Sequence, residues 1–195
     1  MKCLGILAGP RKGHATDALI DAVLSGLKEG GGEIEKISLY DYAVKPCAGC
    51  CTCQQNKPCV IDDDQRIILA KMDAADVVVF GSPAYWSNVT SEAKKFMDRS
   101  ADFFRMTGFG PRRTKPTPGA VVLVTTCGAP FPFTHLMGIV PGALRAMKVF
   151  FGRMNARIYT VYAGGMLDPA ASRPSKKTLA KACALGRRIA LARRS

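Results

Sequence analysis

Short apolar stretches alternate with longer amphipathic segments along the chain. The apolar stretches are rich in Val, Ile and Leu, which favour buried strands. The pattern predicts strands at residues 3–8, 34–39, 77–80, 121–125 and 158–162. It predicts helices near residues 16–29, 63–74, 91–104, 134–151 and 175–193. This alternation indicates an α/β protein with a parallel sheet of five strands covered by helices on both faces.

The length and composition fit a single domain over residues 1–195, with 48% hydrophobic residues and no repeat or linker. The uncharged stretch at residues 116–144 contains five prolines, so we expect a strand, a loop and a bent helix there, not a membrane span. The N-terminus has no secretory signal pattern, and we therefore expect a cytoplasmic protein with reduced or metal-bound cysteines.

Charge is distributed unevenly along the chain. Residues 1–102 contain 12 Lys/Arg and 14 Asp/Glu, whereas residues 103–195 contain 16 Lys/Arg and a single acid, Asp168. This asymmetry indicates an anionic partner, such as a nucleotide phosphate or an acidic redox protein, although a solvated basic face explains it equally well. No motif or aromatic–basic pattern supports nucleic-acid binding.

The loop at residues 8–16 connects the first strand to the first helix. In open α/β sheets, ligands bind outside the carboxyl ends of the strands. A helix N-terminus with Arg11 and Lys12 beside it, and with the Thr16 hydroxyl, suits a phosphate group. The spacing matches neither the Walker loop nor GxGxxG. An ordinary turn with two solvated cations is the alternative.

Two further loops follow predicted strands at the same edge of the sheet. The loop at residues 81–88 places Tyr85 and Trp86 after a proline turn, where they form a flat wall for a fused-ring ligand or pack under the next helix. The loop at residues 125–129 contains Cys127, which can lie near such a ligand but is more typical of a buried thiol. The apolar residues 131–140 that follow predict a flap, an oligomer contact or a core helix.

A cluster of cysteines lies in the loop at residues 47–59, after the second strand. Four of them, Cys47, Cys50, Cys53 and Cys59, form the spacing CxxCxxCx5C. Four thiolates at this spacing can ligate a 4Fe-4S cluster. Zinc, which usually takes two separated CxxC pairs, and the absence of a metal are the alternatives. Cys51 is not expected to be a ligand.

The loops after the first and third predicted strands resemble those of the NAD(P)H-dependent FMN reductase and iron–sulfur flavoprotein family. Residues 8–16 are similar to its GSPRxxGNT loop, with Pro10, Arg11 and Thr16 matching. Gly9 stands where the family usually has Ser, and Ala15 where it has Asn, so two phosphate donors are missing. Residues 81–99 are similar to the family's GSPVYxxNVSxxLKxFxDR stretch, and the cysteine spacing matches its compact cluster motif.

The resemblance implies a flavodoxin-like fold that binds FMN. It implies an NAD(P)H-dependent oxidoreductase with a 4Fe-4S cluster on Cys47, Cys50, Cys53 and Cys59, or alternatively an electron carrier that accepts electrons from a ferredoxin-like donor. A homodimer or homotetramer is expected, and no residue stands out as a catalytic acid or base. The predicted cofactor-binding residues are Gly9, Pro10, Arg11, Lys12, Ala15, Thr16, Pro83, Ala84, Tyr85, Trp86, Ser87, Asn88, Thr126, Cys127 and Gly128.

Overall fold

Five parallel strands form the central sheet in a computed structural model that describes residues 1–107, 110–112, 118–167 and 173–193. These strands are β1 (Lys2–Leu7), β2 (Glu33–Ser38), β3 (Val77–Pro83), β6 (Ala120–Thr126) and β7 (Arg157–Ala163). A separate antiparallel hairpin is formed by β4 (Arg105–Thr107) and β5 (Gly110–Arg112). The sheet order β2-β1-β3-β6-β7 is that of a flavodoxin-like protein and confirms the predicted fold class.

Six α-helices accompany the strands in the described part of the chain. They are α1 (Ala15–Glu29), α2 (Gln65–Ala74), α3 (Ser91–Arg99), α4 (Phe133–Leu136), α5 (Ile139–Phe151) and α6 (Lys176–Ala192). Short 3₁₀ turns occupy Leu39–Asp41, Thr52–Gln55, Ser100–Phe103 and Gly152–Met154. None of these described helices is long and apolar enough to cross a membrane.

The sheet separates two hydrophobic cores. On one face, α2, α3 and α5 cover Phe80 of β3, whose ring packs against Phe96 and Phe151 at centroid distances of 6.0 and 5.1 Å. On the other face, α1 and α6 cover residues such as Val79 and Val122. Every residue of β6 is buried, as expected for a central parallel strand.

Three features differ from the sequence-based expectations. The helix predicted at residues 134–151 is two helices, because Gly138 adopts the left-handed conformation at φ +67° between them. The helix predicted at residues 91–104 ends at Arg99 and continues as a 3₁₀ turn. The β4–β5 hairpin was not expected. Parts of the basic second half, at residues 113–117 and 168–172, lie outside the described residues.

Glycines bring α1 and α6 into close contact. A Cβ atom at Gly26 of α1 would lie 1.9 Å from the carbonyl oxygen of Cys183 in α6. A Cβ atom at Gly186 of α6 would lie 2.2 Å from the carbonyl oxygen of Val23. Since real atoms do not approach so closely, each glycine allows the two backbones to pack directly against each other.

Replacing Gly26 with Ala is therefore expected to push α1 and α6 apart. We expect a loss of about 1–3 kcal/mol in the free energy of unfolding, which outweighs the gain of about 1 kcal/mol in helix propensity. Gly152→Ala is the control, because a Cβ there meets nothing within 4 Å and the backbone has an ordinary helical φ of −63°. Denaturant unfolding measures both variants, and equal stabilities would contradict the close packing.

Candidate functional site

Three loops converge on one pocket at the carboxyl edge of the sheet. Backbone hydrogen bonds continue the ladder past the strand ends: the Ala8 amide donates to Gly81 (2.7 Å), and the Ala84 amide donates to Thr126 (2.7 Å). The loops after β1, β3 and β6 therefore leave the sheet side by side. The residues that line the pocket are Gly9, Pro10, Arg11, His14, Ala15, Thr16, Pro83, Ala84, Tyr85, Thr126, Cys127, Gly128 and Met166.

Asp17 holds the loop after β1 in shape. This buried carboxylate accepts a 2.7 Å hydrogen bond from the Gly13 amide, and Lys36 lies 3.0 Å from its other oxygen. Gly13 has a φ of +75°, which favours glycine in this turn. His14, the residue before α1, makes no side-chain capping bond. The first turn of α1 can therefore offer backbone amides to an anion in the pocket.

The hydroxyl groups of Thr16 and Thr126 meet inside the pocket wall at 2.7 Å. Both threonines are buried, and they come from α1 and from the end of β6. Each hydroxyl has one proton, and a single proton is sufficient for the bond between them. The pair therefore keeps one O–H that can be donated to a ligand.

The loop after β3 ends in a tight hairpin turn. Tyr85 and Asn88 exchange backbone hydrogen bonds of 2.8 and 2.9 Å, with Trp86 and Ser87 at φ values of +51° and +57° between them. Turns of this kind usually contain Asn or Gly, so Trp and Ser are strained here. The Trp86 side chain is fully exposed, and the Asn88 side-chain oxygen accepts from the Val89 amide.

The pocket contains most of the predicted cofactor-binding residues, with four exceptions. Lys12 turns away to form an ion pair with Asp41 at 2.7 Å. Trp86, Ser87 and Asn88 lie in the hairpin turn outside the pocket lining. Direct contact with the cofactor remains a prediction for all fifteen residues.

Met166 lines the pocket and was missed from the sequence. It follows β7, and its amide donates to the Cys127 carbonyl oxygen at 3.0 Å. From the sequence, candidate ligand-binding residues are expected only in the loops after the first, third and fourth predicted strands. Two consecutive glycines followed by an apolar residue after the last strand were the available signal. His14, which is not in the predicted set, also lines the pocket.

Cys127 is a neutral thiol in this pocket. Burial raises its pKa, while a backbone hydrogen bond at Ala129 opposes the rise. A thiol of this kind is not activated as a nucleophile. Its burial confirms the expectation of a small buried thiol.

The cysteine loop forms a second depression. Cys47, Cys50, Cys53 and Cys59 all line it, together with Cys51, Ile61, Asp98, Arg99 and Ala101. All eight cysteines of the chain lie in its described part and have free thiols. Asp98, Arg99 and Ala101 come from α3 and the turn after it, so this segment forms the floor beneath the loop.

A buried ion pair closes the base of the cysteine loop. Arg99 Nη1 lies 2.8 Å from Asp63 Oδ2 and Nη2 lies 3.2 Å from Oδ1, with side chains 1% and 4% exposed. The two Nη atoms also donate to the carbonyl oxygens of Lys45 and Ile61, at 2.7 and 3.3 Å. Asp63 in turn accepts from the Lys45 amide. Both ends of the loop are thus fixed to the end of α3.

The pKa values of the pair follow from these contacts. Burial alone would raise the pKa of Asp63, but Arg99 and the amides of Lys45 and Gln65 hold it below its ordinary value. Burial alone would lower the pKa of Arg99, but Asp63, followed by the nearby Cys59 thiol, raises it. The pair is therefore charged on both sides at neutral pH.

The thiols of the loop experience different surroundings. The Thr52 hydroxyl donates to Cys50 Sγ at 3.5 Å and lowers the pKa of that thiol. Burial and the charge of Asp102 raise the pKa of Cys53. Asp102 also accepts a 2.9 Å hydrogen bond from the Cys59 amide. Cys50 thus has a lowered pKa, and Cys59 is held in place through its backbone amide.

The cysteines that line the depression are the type of ligand that an iron–sulfur cluster requires. Four thiols from one loop surround the depression, and thiolates are the ligands that such clusters require. No group of three or more Cys, His, Asp or Glu in the described ranges is close enough to hold a single metal ion. A cluster is larger than one ion, so its ligands stand farther apart than those of a single ion.

Replacing Asp63 with Asn is expected to destabilise the protein by about 3–5 kcal/mol at neutral pH, because it leaves the buried Arg99 without its counterion. The folded pKa of Asp63 lies below its ordinary value. The contribution of the pair is therefore complete above about pH 4 and disappears as the pH falls through the folded pKa. The stability gap between the wild type and Asp63→Asn should narrow in acid.

Denaturant unfolding across this pH range measures the gap. Asp62→Asn is the matched control, since the neighbouring Asp62 forms only an exposed ion pair with Arg66. We expect a change below about 1 kcal/mol for the control. If the difference in the free energy of unfolding between the wild type and Asp63→Asn stays constant in strong acid, the pair is not ionised at neutral pH.

The sheet order and the pocket at the carboxyl edge define a flavodoxin-like α/β protein with a ligand site at the switch point. In comparison with known families, residues 1–148 match the family described as NADPH-dependent FMN reductase. The chain belongs to this family, as the motifs in its loops predicted.

Individual relatives agree with this assignment. An iron–sulfur flavoprotein of Archaeoglobus fulgidus is 33% identical over 148 residues, which cover 72% of this chain and 66% of the relative. Another, from Methanocaldococcus jannaschii, is 42% identical over 100 residues, covering 51% and 52% of the two chains. The aligned part thus spans about half to two thirds of these relatives.

Among solved structures, an NAD(P)H:quinone oxidoreductase from Methanothermobacter marburgensis superimposes with a TM-score of 0.77. The alignment covers 97% of this chain and 96% of the other, at 19% sequence identity. At this identity the likeness establishes the shared fold.

Proposed function

We propose that the protein is an FMN-dependent oxidoreductase that passes electrons from NAD(P)H through the flavin to an acceptor, with a 4Fe-4S cluster in the cysteine loop. The observation that carries the proposal is the convergence of three loops on one pocket at the carboxyl edge. Membership of the FMN reductase family supports the same cofactor. When bound, FMN supplies the redox chemistry by accepting hydride at N5.

The phosphate end of the pocket lies at the start of α1. Gly9 and Ala15 offer no side-chain donors, so the groups available to a phosphate are backbone amides, Arg11 and the O–H left over from the Thr16–Thr126 pair. These donors fit a phosphate monoester. Because two donors of the family pattern are missing, we expect loose FMN binding.

The ring end of the pocket is bounded by Pro83, Ala84, Tyr85 and Met166. These side chains offer flat or apolar surface, which suits the isoalloxazine ring and keeps water away from it. The Cys127 thiol stays protonated there and donates its S–H to the Ala129 carbonyl oxygen at 3.6 Å. The protein would therefore orient the flavin rather than supply an acid or base.

The cysteine loop supports the second redox centre. Cys47, Cys50, Cys53 and Cys59 would hold the cluster, and the related proteins that are named iron–sulfur flavoproteins support this assignment. The loop follows β2, which lies beside β1, so both candidate centres occupy the same edge of the sheet. A cluster there also fits the alternative function of an electron carrier, with an acidic ferredoxin-like donor attracted to the basic second half.

Exposed apolar residues beside the flavin pocket support self-association. Phe131, Leu136 and Met137 are 80%, 79% and 65% exposed around α4. Such a patch is unusual on a free surface and is typical of an interface. We infer a homodimer or homotetramer that covers it.

Arg11→Ala is expected to weaken FMN binding about 10- to 100-fold, because a charge-assisted bond to phosphate contributes about 1.5–3 kcal/mol. Lys12→Ala is the control, since the neighbouring Lys12 is paired with Asp41 and lies outside the pocket lining. Titration of the apoprotein with FMN, followed by flavin fluorescence, measures both affinities. Equal effects of the two variants would place the phosphate elsewhere.

The proposed function is tested by a spectrum of the protein purified without air. We expect flavin bands together with a broad iron–sulfur absorption that bleaches with dithionite. Cys50→Ala should abolish the broad absorption and the bound iron. Cys51→Ala should retain both, because Cys51 lies in the same loop but outside the ligand set.

The addition of NADPH or NADH to the same sample separates the two functions. Rapid bleaching of the flavin by either nucleotide supports the oxidoreductase. A flavin that neither nucleotide reduces, but that a reduced ferredoxin does reduce, supports the electron carrier. A protein that binds no FMN would overturn both functions.

A further inference from the structure

Arg99 has one donor that its ion pair does not use. Its two Nη atoms donate to Asp63 and to the carbonyl oxygens of Lys45 and Ile61. Its Nε is buried and has no hydrogen-bond partner among the described residues. Since an unsatisfied buried donor is costly, the position of this N–H requires an explanation.

The unused donor belongs to a side chain that lines the cysteine depression. Arg99 is the one cationic side chain in that lining, and the acid in it, Asp98, is paired with Lys94 at the surface. Cys59 and Arg99 line the same depression. A guanidinium charge therefore lies next to the thiols, with Asp63 bound through its Nη atoms.

We propose that Arg99 sets the reduction potential of the cluster in the cysteine loop, by placing a buried positive charge against its thiolate ligands. This inference rests on the proposed function, because it requires that the loop binds the cluster. It makes Arg99 a positioning and potential-setting residue rather than a ligand. The four thiolates remain the groups that hold the metal.

The effect of the charge follows from electrostatics. Four thiolates make the site strongly negative, and reduction adds a further negative charge. A buried guanidinium stabilises the reduced form more than the oxidised form, because water screens its charge less than it screens that of an exposed cation. Local charge and hydrogen bonds to the sulfur atoms are known means of tuning such clusters. Arginine suits this position, since its rigid fork binds Asp63 while Nε remains free.

The acids around the site act in the opposite direction. Asp63 partly offsets the charge of Arg99, and Asp102, which accepts from the Cys59 amide at 2.9 Å, adds a second negative charge beside the loop. Removing the charge of Asp63 should therefore raise the potential, whereas removing the charge of Arg99 should lower it. A purely structural role predicts something different: both changes break the same ion pair, so both should disturb the loop in the same way.

The test is a redox titration of the holoprotein without air, followed by electron paramagnetic resonance. Arg99→Gln and Arg99→Lys both lose the fork on Asp63 but differ in charge. We expect Arg99→Gln to lower the midpoint potential by a tenfold shift in the redox equilibrium, about 59 mV for one electron. The midpoint potential of Arg99→Lys should stay near that of the wild type, and the midpoint potential of Asp63→Asn should be higher.

Two controls define the comparison. Asp62→Asn removes the same charge as Asp63→Asn from an exposed neighbour and should leave the midpoint unchanged. The flavin midpoint, read from visible absorbance in the same titration, should not move in any variant. Iron content per chain shows which variants retain the cluster.

Equal midpoints for Arg99→Gln and Arg99→Lys would overturn the proposal. If Arg99→Gln does not retain iron, Asp63→Asn decides, and a midpoint at or below that of Asp62→Asn overturns it. A wild type that contains flavin but no iron would instead refute the cluster of the proposed function. The two failures are thus distinguishable.

Discussion

The parallel pairing of β1, β3 and β6 is the constraint on which the rest of the structure depends. These strands are covered by helices on both faces, and nearly all their residues are buried, so the sheet has no room for polar chemistry. Such chemistry must lie beyond the strand ends. The order β2-β1-β3 reverses direction at β1, so the connections after β1 and β3 diverge and leave a crevice between them. The pocket occupies this crevice, and its walls are the segments that continue the backbone ladder past the strands.

The cysteine loop depends on a different kind of interaction. It is rich in exposed residues and has little apolar surface of its own, so hydrophobic burial cannot hold it. The Arg99–Asp63 pair replaces that burial with charge and hydrogen bonds. Asp64 adds a second tie by accepting from the Ala43 amide at 2.7 Å. A buried ion pair contributes little net stability, but its loss is severe because one charge is left alone. The pair therefore determines where the thiols lie more than how stable the domain is.

Much of the fold could be predicted from the sequence, because the strands and most helices have clear hydrophobic periodicity. The split between α4 and α5 could not, since it depends on the left-handed conformation of Gly138 within an apolar run. The motifs located the pocket through Pro10, Arg11 and Pro83. Met166 was not predicted, because it follows the last strand and is placed at the pocket by a backbone hydrogen bond to Cys127. The partnership of Arg99 with Asp63 spans 36 residues, and no local pattern indicates a contact at that separation.

One short helix connects the two candidate sites. Thr90 caps the N-terminus of α3, and its hydroxyl also donates to the Ala8 carbonyl at 2.5 Å, which fixes the helix to the loop after β1. The same helix ends at Arg99, beneath the cysteines. Nine residues of α-helix span about 14 Å. Gln65 secures the far end by donating to the Phe96 carbonyl and the Ser100 hydroxyl, at 3.0 and 2.8 Å. The helix α3 thus links the loop after β1 to the floor of the cysteine depression, and a shift of this helix would displace both.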